Sequence, residues 1–108
     1  MDAQLKKGFL EMCVLAELCR GESYGYRIQK DISGYISLSE SALYHILKRQ
    51  EKAGQVEARS VEHDSRLRRM YSITEAGRKR LREFRAEWQQ AMNAFEFIEG
   101  AAGYDDEE

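Results

Sequence analysis

Apolar residues recur every three or four positions in the first half of the chain, and this spacing predicts three helices. The helices cover residues 3–19, 24–33 and 40–53. The first is apolar on two faces, so it needs cover from two sides, and we expect a second copy of the protein to supply one of them. One face carries Leu5, Phe9, Met12, Ala16 and Cys19, and the other carries Leu10, Val14, Leu15 and Leu18.

Small polar residues and glycines mark the boundaries of these helices. Ser23 and Ser39 are the predicted N-caps of the second and third helices, because a serine hydroxyl accepts a hydrogen bond from a free amide of the first turn. Gly21, Gly34 and Gly54 follow the three helices and are the predicted stops. The three helices are therefore short and closely connected.

Beyond residue 54 the helical spacing gives way to short runs of branched and aromatic residues. These runs predict two strands, at residues 55–62 and 68–73. The polar segment 63–67 between them is the predicted turn, so the two strands form a β-hairpin. This hairpin holds Arg66 at its tip and Arg68 and Arg69 on the returning strand.

A long final helix is predicted from its N-cap, Thr74, to about residue 99. Its apolar positions alternate spacings of three and four residues, the heptad pattern of helices that pair with each other. These positions are Leu81, Phe84, Trp88, Ala91, Phe95 and Ile98. At 1.5 Å per residue the helix is about 37 Å long, more than a small core covers, so we expect a second copy to pack on it.

This order of elements predicts a mainly α fold with a small β-hairpin. Residues 1–73 form a winged helix-turn-helix domain, residues 74–99 a dimerisation helix, and residues 100–108 an acidic, disordered tail. The order suits DNA, because an α-helix fits the major groove and a symmetric dimer holds two such helices about one turn of DNA apart.

The net charge of −2 hides an uneven distribution along the chain. Residues 48–85 carry twelve basic and six acidic side chains, whereas residues 86–108 carry seven acidic side chains and no basic one. The basic segment includes the end of the third helix and the whole hairpin. It therefore predicts an anionic partner, such as DNA, for that part of the molecule.

The sequence argues against several other classes of protein. Its longest apolar run, residues 12–16, is far shorter than a membrane span, and its first residues lack the apolar core of a secretory signal. Cys13 and Cys19 lie on different sides of one helix and predict two reduced, buried thiols, as in a cytoplasmic protein. The sequence holds no known catalytic motif and no set of metal ligands. We therefore predict no enzymatic activity, no metal, no cofactor and no membrane partner.

Segments in four parts of the chain resemble the PadR-type family of transcriptional regulators. They are LKKGFLE at residues 5–11 with GESYGYRI at 21–28, SESALY at 39–44, LKRQEKAG at 47–54 and RRMYSITEAG at 68–77. The resemblance covers about residues 5–98. It implies a recognition helix, residues 40–53, in the major groove of DNA and a basic wing on the flanking backbone.

The resemblance also implies two groups of site residues. The implied DNA contacts are Ser41, Tyr44, His45, Lys48, Arg49, Arg66, Arg68 and Arg69. Trp88 stands fourteen residues after Thr74 and resembles the tryptophan with which the short, multidrug-binding members stack flat aromatic compounds at the dimer interface. The implied ligand-binding residues are Trp88, Phe84, Met92, Phe95, Phe9 and Met12. Trp88 in a dry dimer core is the alternative, since aromatic residues at helical spacing usually pack against one another.

The predicted function is that of a homodimeric, ligand-responsive repressor that binds a double-stranded DNA operator and a planar aromatic or phenolic small molecule. Two alternatives stay open. One is a winged-helix module that binds a protein through the C-terminal helix and acidic tail, and the other is a DNA-binding regulator without a ligand. The sequence departs from the family at His45, where many members have proline, and at Gln50 and Gln55, where leucine-like residues are usual.

Overall fold

The structure, a computed structural model, describes residues 1–105 and contains the predicted helices and wing. The four helices are α1 (Ala3–Cys19), α2 (Gly25–Ser33), α3 (Glu40–Lys52) and α4 (Glu75–Asp105). The three strands are β1 (Ser23–Tyr24), β2 (Val56–His63) and β3 (Arg66–Ile73), which form an antiparallel sheet in the order β1-β3-β2. The prediction of a mainly α fold with a small hairpin and a long C-terminal helix is confirmed.

The core lies between α1, α2, α3 and the inner face of the wing. It consists of Leu10, Met12, Val14, Leu15, Leu18, Ile28, Ile32, Leu38, Leu43, Ile46, Leu47, Val56 and Tyr71. The second apolar face of α1 is buried here, whereas Leu5 and Ala16 of its first face are exposed. Gln50 is also buried, and its amide Nε2 donates a hydrogen bond to the Glu11 backbone oxygen over 2.9 Å. This bond fixes α3 against α1. An apolar residue at position 50 would pack against α1 without a hydrogen bond.

The prediction that Ser23 caps α2 is wrong. Ser23 lies in β1 opposite Tyr71, and Tyr24 is the residue that precedes the helix, without a side-chain cap bond. The backbone at Ser23 is held by the sheet, so its hydroxyl does not turn toward the first turn of α2. A strand of two residues is too short to produce an alternating pattern, and the sequence therefore gave no sign of it.

The turn of the hairpin is shorter than predicted. The β2–β3 register runs from Val56 opposite Ile73 to His63 opposite Arg66 without a break. Only Asp64 and Ser65 lie between the strands, with φ of 50° and 64°. Two consecutive positive φ values characterise the tight turn whose twist matches that of paired strands. Arg66 is therefore the first residue of β3, and the predicted five-residue turn is wrong.

Helix α4 extends six residues beyond its predicted end. It reaches Asp105, so residues 100–105 are helical, in contrast to the disordered tail predicted for residues 100–108. The chain lacks proline, and two glycines among alanines weaken the helix without ending it. Residues 106–108 of the predicted tail lie outside the described residues. The described residues span 67 × 25 × 21 Å, because α4 projects beyond the core.

The start of α4 is fixed on the end of α3 by a small set of backbone contacts. Gln55 N–H donates to the Gln50 oxygen over 2.8 Å, and Thr74 N–H donates to the Gln55 oxygen over 3.0 Å. The Thr74 hydroxyl donates to the Gly54 oxygen over 2.6 Å and accepts from Gly77 N–H over 3.2 Å, which confirms Thr74 as the N-cap. Gly54 adopts a positive φ of 75°, a conformation that favours glycine. We call this set of contacts, between residues 54–55 and 74–77, the α3–α4 junction.

Replacement of Gly77 by alanine is expected to disrupt this junction. A Cβ at Gly77 would overlap the Gln55 carbonyl oxygen and crowd the Ile73 side chain, so backbone atoms would have to shift. We expect Gly77→Ala to lower the free energy of unfolding by about 1–3 kcal/mol, measured by urea denaturation. Gly100→Ala is the matched control, since nothing lies within 4 Å of a Cβ there. Equal stability of the two variants would contradict the steric role of Gly77.

A second stability effect comes from the carboxyl group of Glu17 in α1. Its side chain is only 8% exposed, and Oε2 lacks a hydrogen-bond partner among the described residues. Burial raises the pKa of Glu17, a hydrogen bond with Asp31 of α2 and the Asp31 charge raise it further, and Arg20 and Arg27 oppose the shift. A carboxyl with a raised pKa stabilises the fold most when it is protonated, below its ordinary pKa. That contribution is lost as the pH rises through the raised pKa.

We therefore expect Glu17→Gln to be more stable than the wild type at neutral pH, because the amide removes a buried charge that lies beside the Asp31 carboxylate. The advantage should shrink as the pH falls through the raised pKa of Glu17, where the wild-type carboxylate takes up its proton. Urea denaturation of both proteins at several pH values measures this. If the stability gain of Glu17→Gln over the wild type were larger at acid pH than at neutral pH, the assignment would be contradicted.

Candidate nucleic-acid interface

Helix α3 presents one apolar and one polar face. Leu43, Ile46 and Leu47 are buried in the core, and Ser39 caps the helix by accepting a hydrogen bond from Ala42 N–H over 3.1 Å. The predicted contact residues on the opposite face are all exposed, and they are Ser41, Tyr44, His45, Lys48 and Arg49. The helix therefore offers hydroxyl, imidazole and cationic groups along one accessible side.

The wing places its arginines on both faces of β3, because successive side chains of a strand alternate. The Arg68 guanidinium lies over the ring of Tyr24, with its central carbon 4.0 Å from the ring centroid. The Arg69 guanidinium, on the other face, donates to Glu51 of α3 over 2.8 Å. Arg66 is exposed at the start of β3. All three arginines line one cleft together with Tyr24, which precedes α2, and Tyr44 of α3.

A cleft of about 870 Å³ separates the wing from the starts of α2 and α3. Its lining residues are Tyr24, Gly25, Tyr26, Tyr44, His63, Asp64, Arg66, Leu67, Arg68, Arg69 and Tyr71. Three arginines face a single acidic residue, so the cleft is electropositive. Four tyrosines surround them, and burial raises the pKa of the innermost, Tyr71, against the opposing effect of Arg69. The cleft can therefore accept an anionic backbone between the wing and α3.

Three arginines of this region form ion pairs with glutamates that are distant in sequence. Arg49 contacts Glu11 over 2.7 Å, Arg69 contacts Glu51 over 2.8 Å, and Arg59 contacts Glu22 over 2.6 Å. Arg59 lowers the pKa of Glu22, so this pair keeps its charge down to acid pH and ties β2 to the residue before β1. Two of the predicted contact residues, Arg49 and Arg69, are thus partly neutralised.

Sequence reasoning missed two tyrosines of the cleft. Tyr24 lies under Arg68, and Tyr26 is exposed at the first turn of α2. Both belong to the segment GESYGYRI, which signalled the family but not a site. The ion pairs with Glu11, Glu22 and Glu51 were also missed, because they join positions 18 to 38 residues apart that no local pattern connects.

The predicted ligand-binding residues divide into three locations. Phe9, Phe84 and Trp88 form a cluster, with Phe9 edge-on to Trp88 at 4.5 Å between centroids and Phe84 parallel to Trp88 at 6.0 Å. Met92 and Phe95 lie further along α4 and are exposed. Met12, only 6% exposed, lies in the core of its own chain. The structure therefore brings three of the six residues together on the outer side of α1 and α4.

A membrane-spanning helix, a metal site or a reactive thiol in the described part of the chain would indicate another function. Residues 1–105 contain no helix long and apolar enough to cross a membrane, and no group of three or more potential metal ligands. Cys13 and Cys19 are free thiols, half-buried where the sequence predicted burial, and burial raises the pKa of Cys13. A raised pKa keeps that thiol in its less reactive, protonated form.

Comparison with known proteins agrees with this geometry. Residues 14–83 match the model of the transcriptional regulator PadR-like family, which covers the recognition helix, the wing and the start of α4. No curated protein matches the chain.

Solved structures share most of the fold. A transcriptional regulator from Clostridium thermocellum is 27% identical, with a TM-score of 0.80 over 88% of this chain and 94% of the other. A protein from Streptococcus mutans is 38% identical, with a TM-score of 0.70 over 77% and 78% of the two chains. Bacillus subtilis PadR, solved in complex with operator DNA, is 25% identical, with a TM-score of 0.66 over 70% of this chain and 46% of the other.

The matched family and the C. thermocellum neighbour are transcriptional regulators and not enzymes, in agreement with the sequence prediction. The family match extends over more than half of the chain and includes the exposed face of α3 and the arginines of the wing. The chain therefore belongs to the PadR-like family of transcriptional regulators.

Proposed function

We propose that the protein is a cytoplasmic, homodimeric repressor that binds operator DNA and releases it in response to a planar aromatic ligand. The observation that carries the DNA-binding part is the electropositive cleft, in which Arg66, Arg68 and Arg69 of the wing face Tyr44 on the exposed side of α3. In this arrangement α3 enters the major groove, and Arg66 and Arg68 reach the flanking phosphates. The complex of B. subtilis PadR with operator DNA supports this use of the fold.

Dimerisation is the second part of the proposal, and the apolar surface of α4 supports it. Leu81 and Phe84 pack partly against the core of their own chain, whereas every described position from Gln89 to Tyr104 is exposed. Phe95 is 53% and Ile98 60% exposed, and both lie on the heptad seam. A contiguous apolar surface of this kind is a mark of a protein interface. A second α4 with the same seam is its simplest complement.

Ligand binding is the third part, and it rests on the aromatic cluster. Phe84 and Trp88 lie on the seam and Phe9 packs against both, so a dimer brings two such clusters to one interface. Flat aromatic compounds stack favourably on such rings in a site that excludes water. A ligand bound there favours one relative placement of the protomers, and a placement that does not fit the operator releases the DNA. The edge-on contact of Phe9 with Trp88 favours one alternative, a dry interface without a ligand.

The DNA-binding part is tested with Lys48→Ala. Lys48 is exposed in the middle of α3, and the substitution removes one cation from the proposed interface. We expect weaker binding to the DNA upstream of its own gene, and a slope of log K against log salt that is smaller by about one. Arg85→Ala, an exposed cation on α4 away from the cleft, is the control. Wild-type binding that does not depend on salt would contradict DNA binding and favour a protein-interaction module.

The ligand part is tested through Trp88, the only tryptophan of the chain, so its fluorescence reports on this site alone. We expect planar aromatic cations or phenolic acids to change this fluorescence to saturation and to weaken DNA binding. Trp88→Ala, which has no tryptophan fluorescence, should stay a dimer by sedimentation, and these compounds should no longer weaken its DNA binding. Dissociation into monomers would assign Trp88 to the dimer core, and unchanged fluorescence with every compound would support the regulator without a ligand.

A further inference from the structure

The contact between Tyr24 and Arg68 differs in kind from the ion pairs that other arginines of α3 and the wing form. Arg49, Arg59 and Arg69 donate to carboxylates, whereas Arg68 lies over an aromatic ring and forms no ion pair with an acidic side chain among residues 1–105. A guanidinium held through a ring face keeps its charge, and its N–H donors stay available for another acceptor. Arg68 is therefore held in place without being neutralised.

The pairing of strand β1 with strand β3 determines where Tyr24 and Arg68 meet. Tyr24 pairs with Met70 in the short β1–β3 ladder, and Arg68 is two residues from Met70 on the same face of β3. The ring and the guanidinium are thus diagonal neighbours across two hydrogen-bonded strands, a distance that long and aromatic side chains span. Both residues are half-buried, which limits the number of conformations that the Arg68 side chain can adopt.

The next residue, Gly25, connects the same segment to the recognition helix. A Cβ at Gly25 would lie 2.5 Å from the Tyr44 hydroxyl oxygen and 3.0 Å from the ring carbon that carries it. Tyr44 therefore rests on the backbone of Gly25, at the first residue of α2. One dipeptide contacts both the wing arginine and the tyrosine of α3, and all four residues line the cleft.

We propose that Tyr24 is a positioning residue for DNA binding, which holds the Arg68 guanidinium at a fixed distance from the recognition helix, where it meets a phosphate of the bound duplex. This inference rests on the proposed function. Without such a contact, an arginine side chain loses freedom of rotation about several bonds when it binds, and this loss of entropy weakens the affinity. Tyr24 orders the side chain before DNA arrives. Its own hydroxyl is not required, since the ring face provides the contact.

The test is a double-mutant cycle in operator binding, with Tyr24→Leu, Arg68→Ala and the combined variant. Loss of a cation–π contact at a half-exposed site predicts that Tyr24→Leu weakens binding by roughly threefold to tenfold. Arg68→Ala lowers the salt slope by about one, whereas Tyr24→Leu leaves that slope unchanged because the charge is retained. In the Arg68→Ala background, Tyr24→Leu should have no further effect.

Two further variants separate positioning from a structural role. Tyr24→Phe keeps the ring and is expected to bind like the wild type, and thermal unfolding shows whether any variant has lost its fold. Tyr35→Leu, an exposed tyrosine outside the cleft, is the matched control. Equal weakening by Tyr24→Leu with and without Arg68, or equal weakening by Tyr24→Phe, would overturn the inference.

The failure of this inference is distinguishable from that of the proposed function. If Arg68→Ala binds like the wild type while Lys48→Ala is weaker, DNA binding through α3 stands and the role of Tyr24 is refuted. If the wild type does not bind DNA in a salt-dependent way, both are refuted.

Discussion

At the α3–α4 junction, a few hydrogen bonds connect four chain segments. These segments are the end of α3, the start of β2, the end of β3 and the start of α4. The approach is so close that a side chain at Gly77 would overlap the Gln55 carbonyl oxygen. The Thr74 hydroxyl uses both of its functions there, as donor to Gly54 and acceptor from Gly77. Because each of these contacts has a backbone group as at least one partner, they leave little freedom of rotation. The direction of α4 is consequently fixed relative to α3, and the wing is fixed relative to both.

Local chemistry predicted much of this fold. The N-caps Ser39 and Thr74 and the positive φ of Gly54 follow from the needs of a helix end, which involve only a few neighbouring residues. The heptad spacing of α4 likewise reflects one helix face. Its predicted end is too early because an acidic stretch with few apolar residues indicates disorder, although the chain holds no proline to stop the helix.

The parts that sequence reasoning missed depend on pairing between distant positions. Strand β1 exists because β3 offers an edge to Ser23 and Tyr24, and a two-residue segment carries no pattern of its own. The position of Arg68 over Tyr24 follows from that pairing and was equally invisible. For the same reason, the sequence identified cations that the structure leaves accessible to solvent. It did not distinguish Arg49 and Arg69, which have glutamate partners, from Arg68.

The length of α4 gives the proposed dimer a mechanical property. Trp88 lies thirteen residues from the first residue of the helix, Glu75, a distance of about 20 Å along the axis. A tilt of about 10° at Trp88 therefore moves each α3–α4 junction by roughly 3.5 Å. With both protomers tilting in opposite directions, the separation of the two recognition helices changes by roughly 7 Å, about a fifth of the 34 Å that separates successive major grooves. In the proposed dimer, α4 would thus act as a lever that converts a small angle at the aromatic cluster into a poor match of the two α3 helices to successive major grooves.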